Sequence, residues 1–245
     1  MGRSGHTELS GYAERLIRGR RAVRAFRPDA VAPETMRAIF SLAGAAPSNS
    51  NTQPWRVEVI SGALRDRLAD ALQAAHAARR TSADFPYRDD MYAPVQQERR
   101  AAFGAELYGA LGIGRDDTAA RVAYDAESLR FYGAPHVAFL FVSSGRADAR
   151  PAADVGAYMQ TLLPAMAAYG VDSCPQGLLS FYADTVRGEL GVSEGKLLVG
   201  VSFGYADGAA PVNRVSAGRV ELAATTTFHD QAASDGWDVV GVRGG

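Results

Sequence analysis

Apolar positions at Leu9, Tyr12, Ala13, Leu16 and Ile17 recur every three to four residues, which predicts an amphipathic helix over 9–19. Pro33 and Glu34 open a second helix that Gly44 closes. From Trp55 to Ile60 the pattern alternates and is rich in β-branched residues, so a strand is expected there. Helical spacing returns over 63–80, 95–111, 118–130 and 152–169, with Pro164 expected to kink or stop the last of these. His136–Val142 reads as a strongly apolar strand. Gly170 to Gly177 reads as a loop, 182–190 as a short helix, and Lys196 to Phe203 as another strand. Residues 81–94 are irregular and hold Pro86, Pro94, Phe85, Tyr87 and Tyr92. A stretch of that kind in a compact domain is a functional lid or a disordered loop. Residues 205–245 show little periodicity beyond the β-prone Thr225–Phe228.

Many helices and few strands place the chain in the α+β class, an antiparallel or mixed sheet enclosed by helices. No repeat, low-complexity tract or linker divides the 245 residues, so 1–245 is expected to form one domain. Area scaling has a chain of this mass bury ~70% of its unfolded surface, enough for a core without staples. The long C-terminal stretch is expected to wrap its own domain or exchange with a partner chain.

Charge and composition then remove function classes. Lys+Arg is 26 against 27 Asp+Glu, a net charge of −1, which offers no global field for nucleic acid or an anionic membrane. A single cysteine, Cys174, excludes an internal disulfide and a cysteine-rich metal centre. The longest apolar run, Val137–Val142, is too short to span a bilayer, and the N-terminal residues lack the apolar core of a signal peptide. A soluble, cytoplasmic protein is expected. The only lysine is Lys196, which leaves one candidate for Schiff-base chemistry. The four histidines show no metal-ligand spacing, and His136 at a strand start reads as structural.

Gly200-Val-Ser-Phe-Gly204 matches the G-x-S-x-G elbow of hydrolases and follows a strand, but a turn rather than a helix comes next. Ser202 packed in a sheet is the competing reading. Gly109, Gly112 and Gly114 do not follow a strand, so a dinucleotide fingerprint fails. Two segments carry more. In Arg20-Arg-Ala-Val-Arg-Ala-Phe26, Arg20 and Arg24 lie four apart around a helix terminus and can converge on one anion, with Val23 and Phe26 as anchors. A solvated basic face is the alternative. Between Pro47 and Pro54, Ser48, Asn49, Asn51 and Gln53 crowd hydrogen-bonding groups that suit a flat, polar-edged heterocycle, or equally an ordinary turn and cap.

Together these segments resemble the nitroreductase family of flavin-mononucleotide (FMN) enzymes. That family opens with Arg-Arg-Ser-x-Arg-x-Phe and continues with Pro-Ser-x-x-Asn-x-Gln-Pro-Trp. The stretch Asp172-Ser-Cys-Pro-Gln-Gly-Leu-Leu179 and the strand ending Val201-Ser-Phe-Gly-Tyr205 also fall where the family places a flavin contact and a Gly-Tyr turn. The resemblance covers about 10–228, leaving 229–245 as a tail. The passage from Phe85 to Ile113 is most similar to the nitroaromatic-reductase branch, with its longer helical insertion.

The resemblance implies a nitroreductase-like fold, a mostly antiparallel central sheet surrounded by helices. It also implies an intertwined homodimer with an exchanged C-terminal segment and two interfacial FMN sites. It assigns Arg20, Arg21, Ala22 and Arg24 to flavin binding, Arg20 facing the phosphate and Arg24 the N1–O2 edge. Pro47, Ser48, Asn49 and Asn51 are implied to come from the other subunit. Pro175, Gln176 and Gly177 match the loop whose backbone approaches flavin N5. A late arginine completes the phosphate site, Arg219 fitting best and Arg214 second. Ala22 stands where the family usually has serine, and Gln176 where an acid is frequent.

The implied activity is oxidoreduction: NAD(P)H reduces the flavin, then a nitroaromatic or quinone acceptor takes the electrons in the same pocket, a ping-pong cycle. No side-chain catalyst is expected, since the chemistry resides in the cofactor. Phe85, Tyr87, Tyr92, Phe131 and Tyr132 are candidates for the substrate walls, with a core role as the competing reading for Phe131. Reductive dehalogenation, enone reduction and flavin binding without turnover are the alternatives. No metal, nucleic acid or membrane partner is expected.

Overall fold

A computed structural model of the chain describes residues 3–143 and 146–229. The elements run α1 (Arg3–Gly19), α2 (Pro33–Ala43), β1 (Trp55–Ser61), α3 (Gly62–Ala77), α4 (Pro94–Ala110), α5 (Thr118–Ser128), β2 (His136–Val142), α6 (Ala149–Ala168), β3 (Asp172–Gln176), α7 (Ala183–Leu190) and β4 (Lys196–Gly204). Four strands form one sheet in the order β1-β2-β4-β3, every neighbour antiparallel.

The apolar run of β2 explains the layering. Successive side chains of a strand point to opposite faces. Val137, Phe139 and Phe141 pack with Leu68 and Leu72 of α3 and Val186 of α7. Ala138, Leu140 and Val142 pack with Ile39 of α2 and Val155 and Leu162 of α6. All seven residues of β2 are buried, so no polar alternation survives in the sequence. The sheet therefore lies between two helical layers, as the α+β expectation requires. A register shift opposite Leu140 and Phe141 lets β4 change which face its side chains supply. Gly191, left-handed at φ 65°, stops α7 and starts the turn into β4.

Three expectations are corrected. Residues 172–176, read as loop, form β3. The strand carries Pro175, which has no N–H to donate, and it is tolerated because β3 lies at the sheet edge. Pro164 does not stop α6, which runs on to Ala168. Thr225–Phe228 forms no strand; a short 3-10 turn at Leu222–Ala224 precedes it. Val220, Leu222 and Phe228 are exposed on this C-terminal stretch. Of the 229–245 tail, residues 230–245 lie outside the described residues.

Candidate active site

α1 ends at Gly19, and the arginine segment continues as extended chain rather than as helix. Ala22 forms a parallel bridge to Ser173 of β3, and Phe26 an antiparallel bridge to Ala206 beyond β4. Val23 N–H donates to Ser173 C=O at 3.0 Å, Phe26 N–H to Tyr132 C=O at 3.1 Å, and Arg27 N–H to Tyr205 C=O at 2.9 Å. Val23 and Phe26 point into the core, while Arg20 and Arg24, held on extended chain, turn to the same cleft. The segment lies beyond the end of α1, so their convergence does not come from helical i,i+4 spacing.

That cleft has a volume of about 690 Å³ and brings together Arg20, Arg21, Ala22, Arg24 and Arg219. Ile17 and Phe103 add apolar wall, and Val215–Ala217 closes one side. Arg219, the first choice for the late arginine, is in the cleft; Arg214 is exposed and does not line it. Burial, and then the neighbouring Arg219 charge, hold the Arg20 pKa below the ordinary arginine value. Its guanidinium stays charged throughout the physiological range. Among the described residues no carboxylate forms an ion pair with Arg20, Arg21, Arg24 or Arg219. Glu14, the acid of the lining, is paired with Arg18 at 2.9 Å. Four cations without counter-charge beside an apolar wall can hold an anionic group such as a phosphate.

Two residues that shape this cleft escape sequence reading. Asn213 accepts from Arg24 N–H at 2.7 Å and donates to the Ala25 and Asp207 carbonyls at 2.8 and 2.9 Å. Phe103 on α4 lies under the Arg24 guanidinium, 5.3 Å from ring centroid to Cζ. An aromatic on the inserted helix was the available signal for Phe103. Nothing in sequence distinguishes Asn213 from any turn asparagine.

The remaining candidates separate. The Pro47–Gln53 loop is exposed or half-buried at the other end of α6. Asn49 N–H donates to Asp154 at 3.1 Å, Gln53 N–H to Ser48 Oγ at 2.9 Å, and Gln53 Nε2 to Asn51 Oδ1 at 3.0 Å. Arg20 and Arg21 instead border a smaller hollow lined by Leu163 and Ala167. From Asp154 to those residues the helix advances roughly 14–20 Å. Within one chain, Pro47, Ser48, Asn49 and Asn51 therefore do not enter the arginine cleft.

Pro175 and Gln176 end β3, beyond the Ser173 contact. The Gln176 side chain is buried, donating to Ser128 C=O at 2.7 Å and accepting from Ser202 Oγ. It is a sheet-end linchpin whose side chain is engaged within the fold; the resemblance assigns this loop to the flavin through its backbone. Gly177 is exposed and presents backbone at this edge. The same bond settles the elbow: Ser202 is fully buried inside β4 and no helix follows, so it is not a nucleophile.

Of the aromatic candidates, Phe131 is fully buried in the core against Phe139. Its position in the tight turn before β2 drives it inward, and it is corrected to a core residue. Tyr132 is half-buried and packs beside Tyr124. Phe85 packs inward on the α6 side of the sheet. Its neighbour Asp84 is tied down by Arg187 at 2.6 Å and by Leu197 N–H at 2.7 Å. Tyr87 and Tyr92 stay exposed and line a separate hollow with Gln96, Arg99 and Arg100. Burial pushes the Cys174 thiol up to about 11, against the opposing pull of Arg24 and Arg20, so it stays protonated and inert. No helix among the described residues is long and apolar enough to cross a membrane, and no acid, histidine and cysteine cluster there could hold a metal ion.

A sequence model of the nitroreductase family matches residues 17–205. Nitroreductase NfnB of Mycolicibacterium smegmatis is 64% identical over 221 residues, 90% of this chain and 94% of the relative. A chloronitrobenzene nitroreductase of Comamonas testosteroni is 34% identical over 222 residues, 89% of this chain and 97% of its own. The solved structure of the FMN-dependent nitroreductase NfnB from Mycobacterium smegmatis in complex with NADPH superposes with a TM-score of 0.89, covering 91% of this chain and all of that one. By its motifs, its sheet and these likenesses, the chain belongs to the nitroreductase family.

Proposed function

We propose that this chain is an FMN-dependent, NADPH-using nitroreductase that works as a homodimer. The observation that carries the reading is the cleft where Arg20, Arg21, Arg24 and Arg219 meet with no acid to neutralise them. The relatives named above are an NfnB described as FMN-dependent and solved with NADPH, and a reductase of chloronitrobenzene. When bound, FMN supplies two-electron chemistry, taking hydride from the nicotinamide and passing electrons to a nitroaromatic or quinone acceptor.

The chain's own residues bind and orient. Arg20 and Arg219 hold the phosphate, each contact worth about 1.5–3 kcal/mol as a charge-assisted hydrogen bond. Arg24 faces the N1–O2 edge and favours negative charge there. Phe103 and Ile17 keep the ring's surroundings apolar. Gly177, exposed at the end of β3, brings backbone to the ring. The Pro47–Asn51 loop, which cannot reach its own cleft, serves that of the second copy, and this is the argument for two chains per site. Because no side chain has to deliver a proton from a tuned pKa, an open cleft can admit donor and acceptor in turn, which is the ping-pong cycle.

Absorption spectroscopy tests the reading. Purified protein is yellow, and anaerobic NADPH bleaches it; addition of a nitroaromatic restores the colour. A colourless protein that takes up no added FMN would overturn it. Arg20→Ala, with an unchanged circular dichroism spectrum, loses FMN on gel filtration.

A further inference from the structure

The Pro47–Gln53 loop is held by its own polar groups, and they converge on Gln53. Gln53 N–H donates to Ser48 Oγ at 2.9 Å, while its Nε2 donates to Asn51 C=O at 3.3 Å and to Asn51 Oδ1 at 3.0 Å. Asn51 N–H donates in turn to Ser48 C=O at 3.1 Å. Outside the loop, Asp154 of α6 accepts from Asn49 N–H at 3.1 Å. Ser143 N–H and Oγ donate to Pro54 C=O at 2.8 and 3.0 Å. The loop is therefore tied to the body of the protein and braced across its middle.

These bonds fix which way one carboxamide faces. The Asn51 backbone carbonyl can only accept, so the Gln53 atom beside it must be the amide nitrogen. That nitrogen can only donate, so the Asn51 side-chain atom it also meets must be the oxygen. Asn51 Oδ1 is thus turned into the loop. Its Nδ2 makes no hydrogen bond to any described residue and is left as a donor on an exposed side chain. The Ser48 hydroxyl is biased the same way, because Gln53 N–H occupies its oxygen. Gln53 holds this arrangement against its backbone preference. Its φ is 47°, in the left-handed region that glycine adopts freely and glutamine rarely. The residue is exposed, so core packing does not impose that conformation; the bonds to Ser48 and Asn51 do.

We infer that Gln53 is a positioning residue, which orients the Asn51 carboxamide so that the loop offers a donor to an acceptor atom of the flavin bound by the second copy. The inference rests on the two-chain reading above and deepens it. An unbraced asparagine presents oxygen or nitrogen as its side chain rotates, and the brace removes the unsuitable orientations before the ligand arrives. Carbonyl oxygens and unprotonated nitrogens outnumber N–H groups along the polar edge of an oxidised flavin, so donors are the polarity it needs from a neighbouring loop.

The test follows release of FMN from the full-length holoenzyme on dilution, read as the return of free-flavin fluorescence, together with urea unfolding. Asn51→Ala and Gln53→Ala each speed release about three- to tenfold, as loss of one neutral hydrogen bond requires. The double variant Asn51→Ala/Gln53→Ala releases FMN no faster than Asn51→Ala alone, because Gln53 acts through Asn51. Gln53→Gly suits the left-handed backbone, so its unfolding midpoint matches or exceeds that of wild type while release is as fast as in Gln53→Ala. Effects that multiply in the double variant overturn the assignment. So does release at the wild-type rate in Asn51→Ala or in Gln53→Gly. Wild-type protein that carries no flavin and takes up none overturns the functional reading itself.

Discussion

The Asn213 carboxamide closes on the backbone of Arg24 across 189 positions of sequence, accepting from its N–H at 2.7 Å. Its amide nitrogen simultaneously donates to Ala25 C=O at 2.8 Å, so one side chain pairs with the arginine segment as a strand would. Asn213→Ala leaves the Arg24 N–H without its acceptor. A loss of about 1–3 kcal/mol in urea unfolding is expected. FMN affinity should fall as well, because Arg24 and Arg20 lose the fixed backbone that aims them. If flavin titration gave an unchanged Kd with the stability loss present, Asn213 would support the fold alone.

Asp84 anchors the irregular 81–94 segment to the body of the protein. Its carboxylate accepts from Arg187 at 2.6 Å and from Leu197 N–H at 2.7 Å, with Lys196 at 3.6 Å. Its side chain is 6% exposed and that of Arg187 18%. Burial pushes the Asp84 carboxyl up, but the Arg187 and Leu197 hydrogen bonds and the two cations overcome it, leaving the pKa below the ordinary 3.8. The folded state therefore binds fewer protons than the unfolded state near that pH. The resulting stability is fully present above about 3.8 and disappears as pH falls through the folded value. Asp84→Ala should cost about 1–3 kcal/mol at neutral pH, because Leu197 N–H loses its acceptor while Arg187 keeps Asp184 at 2.6 Å. Its unfolding midpoint should depend less on pH between about 4.5 and 3 than that of wild type, a window set by the lowered carboxylate.

His136 gives a second pH signature, of the same sign but nearer neutrality. Its Nε2 accepts from Val31 N–H at 2.9 Å, which fixes a neutral ring with the proton on Nδ1, donated to Ser61 Oγ. Burial first, and then the Arg65 charge, hold its pKa below 6.5. Unfolded chains take up a proton that the folded chain refuses, so stability is complete above about 6.5 and declines as pH drops below it. His136→Gln should flatten the stability profile between about pH 7.5 and 5.5 in chemical denaturation. A slope equal to that of wild type would place the titration elsewhere.

Much of this was legible in the chain, and the failures have definite causes. The helices and three of the four strands follow from periodicity, because α3 and α6 lay continuous apolar stripes on opposite faces of the sheet. β3 was hidden by Pro175, which only an edge position excuses. Arg20 and Arg24 were legible as a converging pair, though by the wrong geometry. Arg219 ranked ahead of Arg214 in the sequence, and of the two it is the one that lines the cleft. The side chain of Gln176 is taken up by Ser128 and Ser202, which are 48 and 26 positions away, a role the sequence does not show. Partnerships of that range leave no local pattern. For Phe131 the sequence offered both a pocket wall and a core role, and its full burial against Phe139 decides for the core.

The turn into the C-terminal stretch yields the sharpest steric prediction. A Cβ placed on Gly204 would stand 2.6 Å from Pro135 Cδ and 3.0 Å from its Cγ. A pyrrolidine ring has no rotamer into which it can retreat, and Pro135 directly precedes β2, whose register opposite β4 pairs His136 with Phe203. Gly204→Ala must therefore push β4 away from β2 at the point where the chain leaves for Tyr205 and Ala206. Those residues receive Arg27 N–H and the Phe26 bridge, so the shift passes to the arginine segment. Overpacking of this kind costs about 1–3 kcal/mol. The expected result is a lower unfolding midpoint together with weaker FMN retention. Gly208→Ala, where a Cβ meets nothing within 4 Å, should leave both unchanged and serves as the control. If Gly204→Ala kept wild-type stability and flavin, the coupling between the β4 terminus and the Arg20–Phe26 segment would be refuted.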